Sequence, residues 1–303
     1  MESPLKITIK DGFEKCFTEV DIDDTLELVN PNHLKVYCLD INASKFNYEQ
    51  LIYFIKRNIH SYVFSRSTVN RYVENNDATI LGLDAVRYLR CIKSGEDNGA
   101  GAELGEILLY IFLEAVLEAP KLLSKLEVKT SQNQYIYGAD AVHILPLNLG
   151  NKPAYQLIIG EAKTYGDLKK AVKSAFNSIA SLDIQQDICL LEKEILDKHF
   201  DQETTELISK LIIPEERDKS ISLDTAYSIF IGYSIGLPEN IPNLEYHNKV
   251  MDQISLDINK LTPYIMDKIK EYNLENHSFY IYILPFNDVS KDRVEIMKRI
   301  RSM

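Results

Sequence analysis

The chain has no tryptophan, only four cysteines in 303 residues, and no apolar run long enough to cross a membrane. Each absence removes a class. A bilayer-spanning helix takes about 18 or more apolar residues without charge, so a membrane protein is not expected. Cys16, Cys38, Cys91 and Cys189 stand far apart, with none of the paired spacings that hold zinc. Reduced thiols in the cytoplasm are the expectation, and a structural metal site is not. The start, Met1-Glu2-Ser3-Pro4-Leu5-Lys6, lacks the basic opening and apolar core of a signal peptide. No Walker-type glycine loop, Gly-x-Ser-x-Gly elbow or kinase signature occurs, so nucleotide hydrolysis and serine chemistry have no residues to use.

Positive charge is scarce as well. Thirty-four Lys and Arg face 45 Asp and Glu, a formal net charge of -11. A protein that grips nucleic acid unaided carries a basic face, because neutralised phosphates release counterions and that release drives binding. The acid is uneven. Glu19, Asp21, Asp23, Asp24 and Glu27 crowd the N-terminal part, and Glu96, Asp97, Glu103 and Glu106 follow. Further on the balance reverses, with Lys152, Lys163, Lys169, Lys170 and Lys173 against Glu161 and Asp167. A locally basic spot on an acidic body fits an enzyme brought to nucleic acid by a partner, or a protein that never touches nucleic acid.

What is present is ordinary globular material, 45% hydrophobic and 26% charged, enough for one large domain or two modest ones. Residues 5–42 carry short β-rich pieces, Lys6 to Ile9 and Lys35 to Leu39. Helical periodicity covers Tyr48 to Phe64 and Thr68 to Cys91. The polar, glycine-rich segment 93–101 divides the chain into an appended N-terminal α+β region, 1–98, packed on a core of 99–303. In that core a helix from Ala102 to Glu118 stops before Pro120, and strands follow over 126–130, 135–145 and 154–162. Helices are expected over 167–182, 189–211, 247–272 and 289–301, and strands over 226–235 and 278–285. That order describes a mixed α/β sheet with helices packed against it.

The informative residues sit on two neighbouring strands: Gly138-Ala139-Asp140, and Gly160-Glu161-Ala162-Lys163 at the end of an apolar run. Strand residues i and i+2 share a face, so Glu161 and Lys163 project together and Ala162 points away. Asp140 falls about twenty residues upstream, as adjacent-strand placement requires. A hard divalent cation needs oxygen ligands, and a phosphodiester needs a positioned water and a cation near its oxygens. Two acids and a lysine at one sheet edge meet both needs, the signature of a metal-dependent nuclease. Glu-x-Lys alone is common and is more often a solvated strand end.

The preceding helix is apolar around most of its circumference, while Glu103, Glu106, Tyr110 and Glu114 fall on one narrow stripe. Two readings stay open. The stripe is a solvent-facing edge, or Glu106 (or Glu103) reaches the metal site, since a buried carboxylate needs a partner. His143 is one strand step out of phase with Asp140, so a hydrogen-bonded core role fits it best. Tyr165, just past the motif, is more often a packing residue than a substrate neighbour.

The helix with Glu106, then Asp140, then Glu161-Ala162-Lys163 resembles the PD-(D/E)xK nuclease superfamily, with Ala139 standing where the pattern has proline. Three longer strings, 105–110, 138–143 and 160–165, resemble the HamA family, the nuclease effectors of the Hachiman anti-phage defence system. The resemblance implies a restriction-endonuclease-like core, a mixed central sheet flanked by helices. It implies a bacterial cytoplasmic enzyme that cleaves DNA with Mg2+, or with Mn2+ in its place, and needs no small-molecule cofactor. It also implies a helicase partner (HamB-like) that restrains and delivers the nuclease. Asp140, Glu161, the Ala162 carbonyl and Glu106 are then the metal site, and Lys163 orients or deprotonates the nucleophile. Two alternatives stay open: a degenerate nuclease fold that regulates a partner by binding it, and a ribonuclease.

Overall fold

The computed structural model describes residues 5–9, 11–22, 26–92, 101–122, 138–147, 152–182 and 193–302. Helix α1 (Phe13–Cys16) leads into β1 (Phe17–Val20) and β2 (Asn32–Leu39), then a small hairpin of β3 (Ile41–Asn42) and β4 (Lys45–Phe46). Three helices follow, α2 (Tyr48–Val63), α3 (Arg66–Glu74) and α4 (Leu81–Ile92). Helix α5 (Ala102–Ala115) precedes β5 (Ala141–Leu147), β6 (Ala154–Thr164) and α6 (Leu168–Ala180). Next come α7 (Lys193–His199), α8 (Gln202–Ile212), β7 (Ser222–Ser234), α9 (Asn243–Glu271), β8 (Ser278–Phe286) and α10 (Val289–Arg301).

Among the described residues six strands form one mixed sheet in the order β1-β2-β8-β7-β6-β5. The inner four run parallel, and β1 and β5 are antiparallel edges. Strands from both sides of segment 93–101 therefore share one sheet, with β2 paired directly to β8. The expected boundary itself falls almost wholly on residues outside those described.

The two faces of the sheet are covered by different helices, and ring contacts assign them. Phe112 of α5 meets Phe230 and Tyr282, whose ring centroids lie 5.7 and 5.2 Å away. Phe176 of α6 meets Phe279 at 5.8 Å. The register pairs Ala162 with Phe230 and Phe230 with Tyr282, so Ala162 belongs to the α5 face. Glu161 pairs with Ile229 and thus belongs to the α6 face.

Several expected elements come out differently. Residues 6–9 form no strand, because the Thr8 N–H and hydroxyl donate to the Glu114 carboxylate instead of to a ladder. The single helix expected over 68–91 is two, interrupted at Asn76, which takes the left-handed region (φ 61°), with Ser65 capping the first at Thr68 N–H (3.2 Å). The helical region expected over 189–211 is also two, the second started by Asp201, whose carboxylate accepts from Thr204 N–H at 2.9 Å. The strand expected over 126–130, residues 135–137 of the next, and residues 189–192 lie outside the described residues.

Candidate active site

The last rung of the β5–β6 ladder pairs Ala141 with Gly160. Beyond it β5 gives way to Asp140, whose N–H donates to Gly160 O (2.9 Å) and whose Oδ2 accepts from Ala162 N–H (2.9 Å). The carboxylate thus takes the place of the next rung. Alternation puts Asp140 opposite Ala141 and so on the α6 face, with Glu161 and Lys163. The structure brings these three together, as the strand spacing requires.

Close packing fixes the approach. A Cβ on Gly160 would stand 2.9 Å from both Ala141 Cβ and Leu109 Cδ2, so only glycine lets α5 sit this tightly on β6. Gly138 adopts φ 106°, a turn that L side chains resist, and it packs against Leu182 just past α6. The chain reaches Asp140 through that turn.

Glu161 is 3% exposed. Its Oε1 accepts from the Lys163 ammonium, and Oε2 is buried without a hydrogen-bond partner. Burial, and then the neighbouring Asp140 carboxylate, push the Glu161 carboxyl up to about 7, against the pull of Lys163 and the nearby Ser178 hydroxyl. Lys163 is half-buried, with its stem on the α6 face. This is a desolvated acid beside a second acid, with one oxygen left over. An added cation would relieve both conditions.

Glu106 is carried by α5. Helix α5 packs on the opposite face, where Gly105 lies against Ala162 and Thr164, and Glu106 Oε2 accepts from the Tyr62 hydroxyl at 3.3 Å. Burial, then Glu106, Glu103 and Asp140, hold the Tyr62 phenol well above its usual range. The stripe on α5 is not a solvent edge. Glu103 (2%), Tyr110 (2%) and Glu114 (0%) are buried, and Glu103 pairs with Arg301 of α10. Among the described residues no three His, Cys, Asp or Glu side chains gather closely enough to hold a metal ion.

His143 behaves as its phase predicts. It lies on the α5 face against Tyr110, 1% exposed, with Nδ1 2.7 Å from Ala119 O, and burial lowers it to about 3. Cys16 and Cys38 are buried, and desolvation, with Asp40 beside them, pushes both thiols up to about 12. They are packing residues. No helix among the described residues is long and apolar enough to cross a membrane.

Tyr62 and Arg293 were not legible as site residues. Arg293 of α10 donates from Nη1 to Thr164 O and Thr164 Oγ1, both 3.0 Å, and so holds β6 just past Lys163. Neither residue lies near the motif in sequence, so only the packing of α2 and α10 reveals them.

No curated protein matches the chain. The HamA family model matches residues 12–300, nearly its whole length. With the two strand motifs placed as above, the chain belongs to the HamA family, a component of Hachiman anti-phage defence.

Proposed function

We propose that this HamA-family protein is a Mg2+-dependent nuclease of the PD-(D/E)xK type that cleaves DNA in the bacterial cytoplasm, restrained and delivered by a helicase partner. The observation that carries the reading is the shared placement of Asp140, Glu161 and Lys163 at the end of the β5–β6 ladder, with Glu161 Oε2 buried and unpartnered. Mg2+ is commonly held by one or two carboxylates, with water and substrate phosphate completing its shell. A pair of protein acids is therefore a sufficient donor set. Asp140 and Glu161 would hold the ion, and the Ala162 carbonyl lies on the same β6 edge as the N–H that Asp140 accepts from.

Bound there, the metal would supply Lewis acidity to the phosphate and a lower pKa to a water. The chain's own groups do the rest. Asp140 is aimed by its hydrogen bond to Ala162 N–H. Lys163 orients or deprotonates the nucleophile and offsets charge as it develops. Glu106, which accepts from the Tyr62 hydroxyl, completes or tunes the site. Delivery by a partner accounts for the net charge of -11, since the partner supplies the grip on phosphates.

The test is cleavage of single- and double-stranded DNA, and of RNA, by the complex with its partner, with Mg2+ or EDTA. Mg2+-dependent DNA cleavage that disappears in Glu161→Ala and Lys163→Ala supports the reading, and survival of cleavage in both variants sinks it. Among the described residues no third acid gathers with Asp140 and Glu161 closely enough to hold a metal ion, and this favours one other reading, a degenerate nuclease fold that regulates its partner. An inert complex on every substrate would select it. Cleavage of RNA alone would assign a ribonuclease.

A further inference from the structure

A cavity of about 450 Å3 opens on the α5 side of the sheet, between the end of α2, the starts of α3 and α8, and the N-terminal segment. Its volume falls within the roughly 300–1,000 Å3 of small-molecule sites. Arg66, the first residue of α3, lines it. The guanidinium Nε and Nη2 are buried and have no hydrogen-bond partner. These two donors form one edge of the guanidinium, the fork that meets a carboxylate or phosphate in two parallel bonds. Burying such an edge unpaired is costly, so its persistence calls for an acceptor.

The charges around it are divided by depth. Lys121 is buried in the wall and donates to the carbonyls of Ser61 (2.5 Å), Tyr62 (3.1 Å) and Phe64 (2.9 Å). Lys6 stands exposed on the lining. The acids are committed or outside. Glu114, beneath, accepts from the N–H groups of Thr8 and Lys121 and from the Thr8 hydroxyl. Asp201 caps α8 through Thr204 N–H and hydroxyl at 2.9 and 3.1 Å, and Glu203 is exposed. Glu114 and Asp201 act on Arg66 at a distance, but neither meets its buried edge. The inner wall is therefore cationic, and it lies across the sheet from Asp140, Glu161 and Lys163.

We propose that this cavity is a second ligand site that takes a terminal phosphate monoester on the Nε/Nη2 edge of Arg66, with the fields of Lys121 and Lys6 favouring a dianion over a monoanionic carboxylate. Such a group occurs on a free nucleotide and on the 5′ end of a nucleic-acid strand. The site does not depend on the nuclease reading.

The experiment is calorimetric titration of the full chain with inorganic phosphate at constant ionic strength, with acetate as the carboxylate arm. Saturable phosphate binding is expected, weakened at least about tenfold by Arg66→Gln and by Arg66→Lys, since lysine keeps the charge and loses the fork. Lys6→Gln, at an exposed position that does not disturb folding, weakens it less, and Glu161→Gln leaves it unchanged. Adenosine monophosphate and a 5′-phosphorylated oligonucleotide, each against its dephosphorylated form, then separate the two sources. No binding of phosphate, binding undiminished from the unmodified chain in the Arg66 variants, or acetate binding as tightly as phosphate overturns the proposal.

Discussion

Two buried glutamates, on opposite faces of the same sheet, have opposite fates. Glu114 is fully buried and surrounded by donors: Thr8 N–H and hydroxyl on Oε2, Lys121 N–H on Oε1 at 2.8 Å. Desolvation raises its carboxyl, and those hydrogen bonds, with the charges of Arg66 and Lys121, pull it back. Glu161 is also buried, but its Oε2 has no hydrogen-bond partner and it stands beside another acid. The same buried residue type is a completed network in one place and an open one in the other. A fold completes the acids it uses for itself. An acid left incomplete beside a lysine is what a site for an absent reactant needs.

The sharpest way to break the comparison is to remove each acid in turn. Lys163→Ala or Glu161→Ala in the complex should lower DNA cleavage by about 10²- to 10³-fold or more while circular dichroism stays unchanged. Glu114→Ala should leave Asp140, Glu161 and Lys163 in place but cost about 3 kcal/mol or more in stability, because it strands buried donors and two neighbouring cations. Chemical denaturation would measure that loss, and an unchanged midpoint would show that Glu114 holds nothing together. Gly160→Ala should cost about 1–3 kcal/mol by wedging Leu109 off β6, with lost cleavage following from the displaced ladder end.

The smallest effect is on pH, and its sign is specific. The folded value of Glu161 is raised from 4.5 to about 7, so its contribution to stability is greatest below 4.5 and falls away as pH rises through 7. His143 works the other way. Its value is lowered from 6.5 to about 3, so its contribution is full above 6.5 and is lost as pH falls toward 3. Subtracting the melting profile of Glu161→Gln from that of the metal-free protein isolates the first slope. Mg2+ should flatten that difference at neutral pH, and a difference profile flat from the start would contradict the buried, incomplete carboxylate.

Much of this was legible in the residue order, for identifiable reasons. Strand alternation put Glu161 and Lys163 on one face and set His143 against Asp140, because a period of two leaves no freedom. The helix ends over 289–301 and the strand over 278–285 were readable because apolar runs and caps agree there. The α5 stripe was not. Periodicity says that Glu103, Glu106, Tyr110 and Glu114 share a side, but what that side meets depends on α2, α10 and Thr8, all distant in sequence. Residues 6–9 read as strand for the same reason, since local propensity cannot see that Glu114 takes the hydrogen bonds a ladder would need.

Among the described residues no strand pairs with β6 on its β5 side beyond the Ala141–Gly160 rung, and that edge has one more consequence. A strand edge that outruns its neighbour is a template on which any extended peptide, including another copy, can dock and extend the sheet. Here Asp140 occupies the Ala162 N–H and Arg293 occupies the Thr164 carbonyl. Each plugs one rung with a side chain that no incoming backbone can displace cheaply. The contacts that aim the acid thus double as a guard against self-association, and an Asp140 variant made to test the proposed cleavage should be watched for aggregation before any inactivity is credited to lost chemistry.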